Sequence, residues 1–303
     1  MKHFTDAEIE KLVTVGDAVD AMDAAFRLFG RKQAAVQPRA RTELGEVKLS
    51  TLGAIVAEEN VAAVKVYTTV GGRFHFVILL FSTVDGRPLA TMEANAFTRL
   101  RTAAVTVVAA RALANPRPRA VAVFGSGVQA RGHVAAFAHA YPGAELRLVS
   151  RGDAGALAST LGRELNRTVR AMPGAAALAD SDVVVTATRA TTPLFSGRDV
   201  APGCFVAAVG SSRPDARELD DDLLRRARRI VVEWKVQTKQ EAGDLLLAAP
   251  GIVDWEAVAD LGDILTGSAP GRERPEDIIV FKSVGIGLED AMLASRVYNK
   301  ACS

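Results

Sequence analysis

Residues 120–131 read AVAVFGSGVQAR, a short apolar run that breaks at Gly125-Ser126-Gly127-Val128-Gln129-Ala130 and continues with a helical pattern to about Tyr141. Glycine at 125 permits a tight turn, and glycine at 127 lets backbone amides approach a pyrophosphate. A small residue at 130 allows the helix to pack closely on the sheet. In its strand, turn and helix context the pattern is a dinucleotide site. The tip of the next strand discriminates between nicotinamide cofactors, because NAD-selective sites place a carboxylate there to bind the ribose 2′-hydroxyl. Here it reads Leu148-Val149-Ser150-Arg151-Gly152. Ser150 can donate a hydrogen bond and Arg151 can pair with a 2′-phosphate, so NADP(H) is the expected cofactor and NAD(H) the alternative. The competing arrangement leaves Arg151 solvated and turns Asp153 back to the ribose. Thr186, Ala187, Thr188, Val209 and Gly210, at the ends of later strands, belong to the same expected cofactor-binding set.

Two cations stand within apolar patterns. Lys65 lies in AAVKVYTTV, where a half-buried ammonium needs a partner, either a substrate carboxylate or a protein acid such as Glu93. Arg101 lies in FTRLRTAAVTVVAARALANP, a helix of about four turns with Thr98 as its cap. In the first turn of that helix Arg101 would form a bidentate clamp for a carboxylate, or else lie on a solvated face.

The elements that must position these groups fall into two sets. Before residue 115 the pattern is mixed α+β: a helix over Val15–Lys32, strands at Val47–Leu52, Ala62–Val70 and Phe74–Thr83, and a hairpin at Asp85-Gly86. After Pro116-Arg117-Pro118, which reads as a linker, apolar strands at 120–124, 145–150, 183–186, 205–209 and 230–232 alternate with helices. That alternation predicts a doubly wound parallel sheet. A last helical stretch runs through SVGIGLEDAMLASRVYNKA. The expected architecture is α/β, with a Rossmann domain over 116–286 inserted in an α+β substrate and dimerisation domain of residues 1–115 plus a C-terminal helix over 287–303.

The 303 residues carry 37 Lys+Arg against 35 Asp+Glu, a net charge of +2. That balance argues against nucleic acid or an anionic membrane as partner and for a small-molecule substrate. Neither an export signal nor an apolar run of membrane-spanning length is visible, and two cysteines, Cys204 and Cys302, are too few for a disulfide framework. A cytoplasmic protein is expected. His3, His75, His133 and His139 have no metal spacing, so no metal is expected, and Cys204 reads as a buried apolar residue.

Taken together, VKVYTT (64–69), RLRTAAVTVVAA (99–110), VAVFGSGVQA (121–130), AAVGSSRPDARELD (207–220), QEAGDLL (240–246) and FKSVGIGLED (281–290) resemble the ornithine cyclodeaminase/mu-crystallin family. The resemblance implies a homodimer and hydride transfer between a nicotinamide and the α-carbon of an amino or imino acid. It also implies that the substrate carboxylate is held by Arg41, with Arg39 as a possible substitute, together with Lys65 and Arg101. The nicotinamide would lie near Ser283-Val284-Gly285.

The cyclodeaminases of that family carry an aspartate in the loop after the fourth Rossmann strand, where this chain has Ser212 in Gly210-Ser211-Ser212-Arg213-Pro214-Asp215. Serine without an activator is a poor base, and ketimine reductases of the family look like this chain here. The expected activity is therefore reduction of a cyclic or linear ketimine carboxylate, with Lys65 orienting or protonating the imine nitrogen and Ser212 hydrogen-bonding to it. Ornithine cyclodeaminase, an alanine dehydrogenase-like oxidoreductase and a non-catalytic NADPH-binding protein are the alternatives.

Overall fold

The computed structural model describes residues 1–302. In chain order the elements are β1 (Lys2–Phe4), α1 (Asp6–Leu12), α2 (Val15–Gly30), β2 (Ala34–Leu44), β3 (Val47–Val56), β4 (Val61–Val70), β5 (Arg73–Ser82), β6 (Pro88–Glu93) and α3 (Asn95–Leu113). There follow β7 (Ala120–Phe124), α4 (Val128–Ala140), β8 (Glu145–Val149), α5 (Ala154–Leu165), β9 (Val169–Ala171), α6 (Gly174–Leu178), β10 (Val183–Thr186), β11 (Phe205–Ala208), α7 (Asp221–Arg226) and β12 (Ala227–Val232). The chain ends with α8 (Lys235–Glu241), α9 (Gly243–Leu246), β13 (Ala259–Asp260), α10 (Leu261–Thr266), β14 (Ile278–Lys282) and α11 (Gly287–Cys302). Two compact units result: residues 1–105 with the segment from Gly285 onward, and residues 106–284.

The first unit is a six-stranded sheet in the order β1-β6-β5-β4-β3-β2, antiparallel except for the β1–β6 pair. Strand alternation divides it into two faces. One carries Leu52, Ala54, Val56, Ala63, Ile78 and Leu80, all buried, with α11 packed across β3 and β4. The helix comes close because Gly287 lies on Gly53, where an added Cβ would collide with the Gly53 backbone. The other face keeps Leu49, Ile55 and Val77 45–50% exposed.

The second unit is an all-parallel eight-stranded sheet in the order β9-β8-β7-β10-β11-β14-β12-β13. Strand order reverses between β7 and β10, and the crevice at the carboxyl ends of strands beside such a switch point is where open α/β sheets bind ligands. The doubly wound arrangement expected from the alternating pattern is the one observed.

Three local expectations change. The division between units falls inside α3, after Val105, and not at Pro116. The helix runs unbroken to Leu113, and its second half belongs to the second unit through Thr106, whose hydroxyl lies 3.0 Å from His133 Nε2 on α4. α3 also starts at Asn95, where the Asp6 carboxylate accepts from the Ala96 amide at 2.9 Å, so Thr98 is not its cap. Arg101 therefore lies in the second turn and gains nothing from the unpaired amides of the helix end.

Candidate active site

Lys65 and Arg101 are both buried, at 1% and 5% exposure. Each meets an acid from the first turn of α11. Lys65 Nζ is 2.8 Å from Asp290 Oδ1. Arg101 Nη1 donates to Glu289 Oε2 at 2.8 Å, and its Nε is 3.5 Å from the same Asp290 oxygen. Glu289 is fixed in turn, accepting the Ile286 amide on Oε1 at 2.8 Å. The partner of Lys65 is thus Asp290 and not Glu93, which accepts the Asp6 amide, and Arg101 is not on a solvated face. The other oxygen of Asp290 is buried and has no hydrogen-bond partner among the described residues.

The third cation in this group is Arg39. The β2–β3 register shifts between Gln37 and Ala40, a bulge that sets Pro38 and Arg39 opposite Leu52, itself paired with Lys65. Bulges re-aim side chains in this way. Half-buried Arg39 donates from Nη2 to the Gly285 carbonyl at 2.8 Å. Gly285 has φ of 74°, and a Cβ there would lie 2.5 Å from Arg101 Nη1, so only glycine lets both guanidiniums close around that backbone. Arg41 is exposed and pairs with Ser50, one row further out on the same face.

Arg39, Lys65 and Arg101 thus gather beside Glu289, Asp290 and the Gly285 carbonyl. Burial pushes the Lys65 ammonium down to about 8, with Arg101 and Arg39 acting in the same direction and Asp290 opposing them. A carboxylate ligand beside the lysine would raise its affinity for its proton again.

In the second unit, Gly125 has φ of 135°, and any side chain there would strike the Ala187 carbonyl and press on Ala130. Gly127 differs: a Cβ on it would meet nothing within 4 Å. It caps α4 with no side-chain hydrogen bond to the first-turn amides, and Ser126 and Val128 are exposed beside it. Open space above the first-turn amides of a helix suits a pyrophosphate. The residues present therefore fit a dinucleotide, with Gln129 and Ala130 following in the first turn. At the tip of β8, Ser150 Oγ accepts the Gly152 amide at 3.2 Å, and Asp153 caps α5 by accepting from Ala156 at 2.9 Å. The Asp153 carboxylate is thereby committed to the helix, while Arg151 is exposed.

Buried polar groups that sequence reasoning missed tie the neighbouring loops together. Glu218, fully buried, accepts from Thr186 Oγ1 at 2.8 Å, from the Thr188 amide and hydroxyl at 2.8 and 2.6 Å, and from the Gly210 amide at 2.9 Å. Asp244 Oδ1 accepts the amides of Glu218 and Leu219, and its Oδ2 lies 2.8 Å from Lys282 Nζ, which donates to the Ser211 carbonyl. Glu233 accepts from Ser283 Oγ at 2.5 Å and from the Val284 amide at 2.9 Å. Ala187, Val209 and Gly210 are thus held through their loops. Ser212 is half-buried in the loop after β11. The motifs QEAGDLL and FKSVGIGLED contain Asp244, Lys282, Glu289 and Asp290; an acid directly after Gly243 or Leu288 in an apolar setting was the available signal.

The remaining reactive side chains are engaged elsewhere. His133 is buried, its Nδ1 2.7 Å from the Gln129 carbonyl, and burial pushes it down to about 4, so it is neutral. Cys204 is buried and its thiol is pushed up to about 12.

The profile of the ornithine cyclodeaminase/mu-crystallin family matches residues 2–303. The ketimine reductase mu-crystallin of Mus musculus is 37% identical over 227 residues, 73% of this chain and 68% of that protein. Among solved structures, a probable ornithine cyclodeaminase from Bordetella pertussis Tohama I superposes with a TM-score of 0.96 at 49% identity, covering 100% of this chain and 97% of the other. The Delta(1)-pyrroline-2-carboxylate reductase of Thermococcus litoralis, in complex with NADH and L-proline, superposes with a TM-score of 0.94 at 28% identity, covering 100% and 98%.

Proposed function

The chain belongs to the ornithine cyclodeaminase/mu-crystallin family, and from that premise we propose that it is an NAD(P)H-dependent reductase of imino acids, acting on cyclic or linear ketimine carboxylates. The observation that carries this is the convergence of three cations, Arg39, Lys65 and Arg101, on Gly285 and the first turn of α11.

The substrate's carboxylate is held by Lys65 and the two arginines, with Arg39 in the place first given to Arg41. Gly125–Ala130 would hold a nicotinamide dinucleotide, whose chemistry when bound would be the supply of hydride for C2. The protonated imine is already electrophilic: as its carbon gains hydride, the C=N electron pair withdraws onto nitrogen, leaving the product amine. The protein's work is then alignment to within about 3.5 Å and exclusion of water. Lys65 stays protonated against the carboxylate, and Ser212 is assigned a hydrogen bond to the imine nitrogen. Ser283, Val284 and Gly285 are assigned to the nicotinamide end, with Glu233 fixing the first two. Arg151 and Ser150 support NADPH over NADH, since Asp153 is occupied as a cap.

A homodimer is part of the same reading. Leu49, Ile55 and Val77 on the outer face of the six-stranded sheet form apolar surface that a second copy would cover. Among the described residues no helix is long and apolar enough to cross a membrane.

The Bordetella structure's description favours a second reading, cyclisation of ornithine with loss of ammonia. Ser212 opposes it, because that reaction wants a carboxylate base near the reacting carbon. Purified protein incubated with NADPH and pyrroline-2-carboxylate or piperideine-2-carboxylate is expected to consume the nicotinamide absorbance, and ornithine with NAD is expected to yield no proline. Turnover of ornithine with no imine reduced would reverse the choice.

A further inference from the structure

Beside the cation group the same sheet face carries three aromatic rings. Tyr67 is two residues along β4 from Lys65, and Phe76 is its cross-strand partner on β5, with Phe74 two residues further out. Side chains two apart share a face, as do directly opposed ones. The ring centroids of Tyr67 and Phe76 are 5.0 Å apart, and those of Phe74 and Phe76 are 5.5 Å apart with an interplanar angle of 3°. Lys65 Nζ lies 5.5 Å from the Phe76 centroid. Tyr67 is 8% exposed, whereas Phe74 is 45% exposed, so apolar ring surface opens away from the lysine.

This arrangement has a chemical direction. A carboxylate hydrogen-bonded to Lys65 at about 2.8 Å places the rest of its molecule within reach of a ring centred 5.5 Å from the same nitrogen. Both acids of the group, Glu289 and Asp290, are already engaged by Arg101 and Lys65. A second ammonium on the substrate would be repelled by three cations. An apolar or flat side chain would meet matching surface.

Resting on the reductase reading above, we infer that Phe76 and Phe74 set the specificity of this site, forming a platform for imino acids whose side chain is an aryl group or a ring. Small linear imino acids are poorer substrates, and those with a terminal ammonium are poorest.

The test compares kcat/KM for the N-methyl imines of phenylpyruvate and pyruvate, formed in situ with methylamine, and for piperideine-2-carboxylate, all with NADPH. The wild-type protein is expected to prefer the phenylpyruvate imine over the pyruvate imine by about tenfold or more. Phe76→Ala removes most of that preference by lowering the phenylpyruvate value. Exposed Phe74→Ala, which leaves the packed core intact, lowers the same ratio about threefold. Phe76→Leu retains bulk without the flat face and guards against a folding defect. Equal loss on both linear imines, or a gain on the bulky one when Phe76 is shortened, overturns the platform while leaving the reductase reading in place. Reduction of none of the three imines overturns both.

Discussion

Asp290→Asn should move the alkaline limit of activity down the pH scale. Lys65 loses its proton at about 8 in the folded protein because burial and Arg101 outweigh Asp290. At 2.8 Å and an effective dielectric of about 20, opposite unit charges attract by about 6 kcal/mol, or about 4 pK units. Asp290 is shared with Arg101, whose Nε is 3.5 Å from the same oxygen, and the asparagine carbonyl keeps a hydrogen bond to the lysine. Half the full value, about 2 units, is the working figure. The variant's lysine then titrates near about pH 6, and at pH 7.5 its charged fraction falls roughly 25-fold. The assay is the pH profile of kcat/KM for imine reduction with NADPH, followed by absorbance. The substrate's own titration is common to both proteins, so the displacement between the two profiles reports the enzyme. Activity of the variant should recover toward pH 5.5. An alkaline limb that stays in place would show that the Lys65 proton does not control substrate capture.

Other consequences are independent of that one. Gly127→Ala should change stability by no more than about 1 kcal/mol, the cost of a poorer helix cap, because its Cβ meets nothing within 4 Å. Cofactor affinity should fall at least about tenfold, read by titrating protein fluorescence with NADPH. Arg151→Asp should shift preference toward NADH, and unchanged selectivity in paired kcat/KM measurements would defeat the assignment. Between about pH 8 and roughly pH 10.4 the unfolded chain holds a proton that folded Lys65 has released. Unfolding free energy should therefore rise with pH across that window, by up to about 3 kcal/mol relative to Lys65→Met, in urea titrations of both proteins. Thiol reagents should modify exposed Cys302 rapidly and leave Cys204, buried with its thiol pushed up to about 12, untouched in the folded state.

What could be read from the residue order follows a physical divide. The turn at 125–130 is local: strand, glycines and helix lie within one stretch, so its geometry was visible in the letters. The strands β3, β4 and β5 and the helices α2 and α4 were readable for the same reason. The pairing of Lys65 with Asp290 joins residues 225 positions apart, and no local periodicity encodes that choice. The displacement of Arg39 toward Lys65 depends on a bulge whose register exists only once β2 and β3 have paired. Thr98 was a reasonable cap by composition, but a distant carboxylate, Asp6, took the helix end three residues earlier. Glu218 and Asp244 read as ordinary charged loop residues until folding buries them under converging amides and hydroxyls.

The most direct test is a crystal structure of the protein with NADP and pyrrole-2-carboxylate, a planar analogue of a cyclic imino acid. The account predicts its carboxylate oxygens within about 3 Å of Lys65 Nζ and the guanidinium groups of Arg39 and Arg101, with the five-membered ring against Phe76. A carboxylate bound at any other place, with those three cations still turned to Glu289, Asp290 and the Gly285 carbonyl, would contradict it.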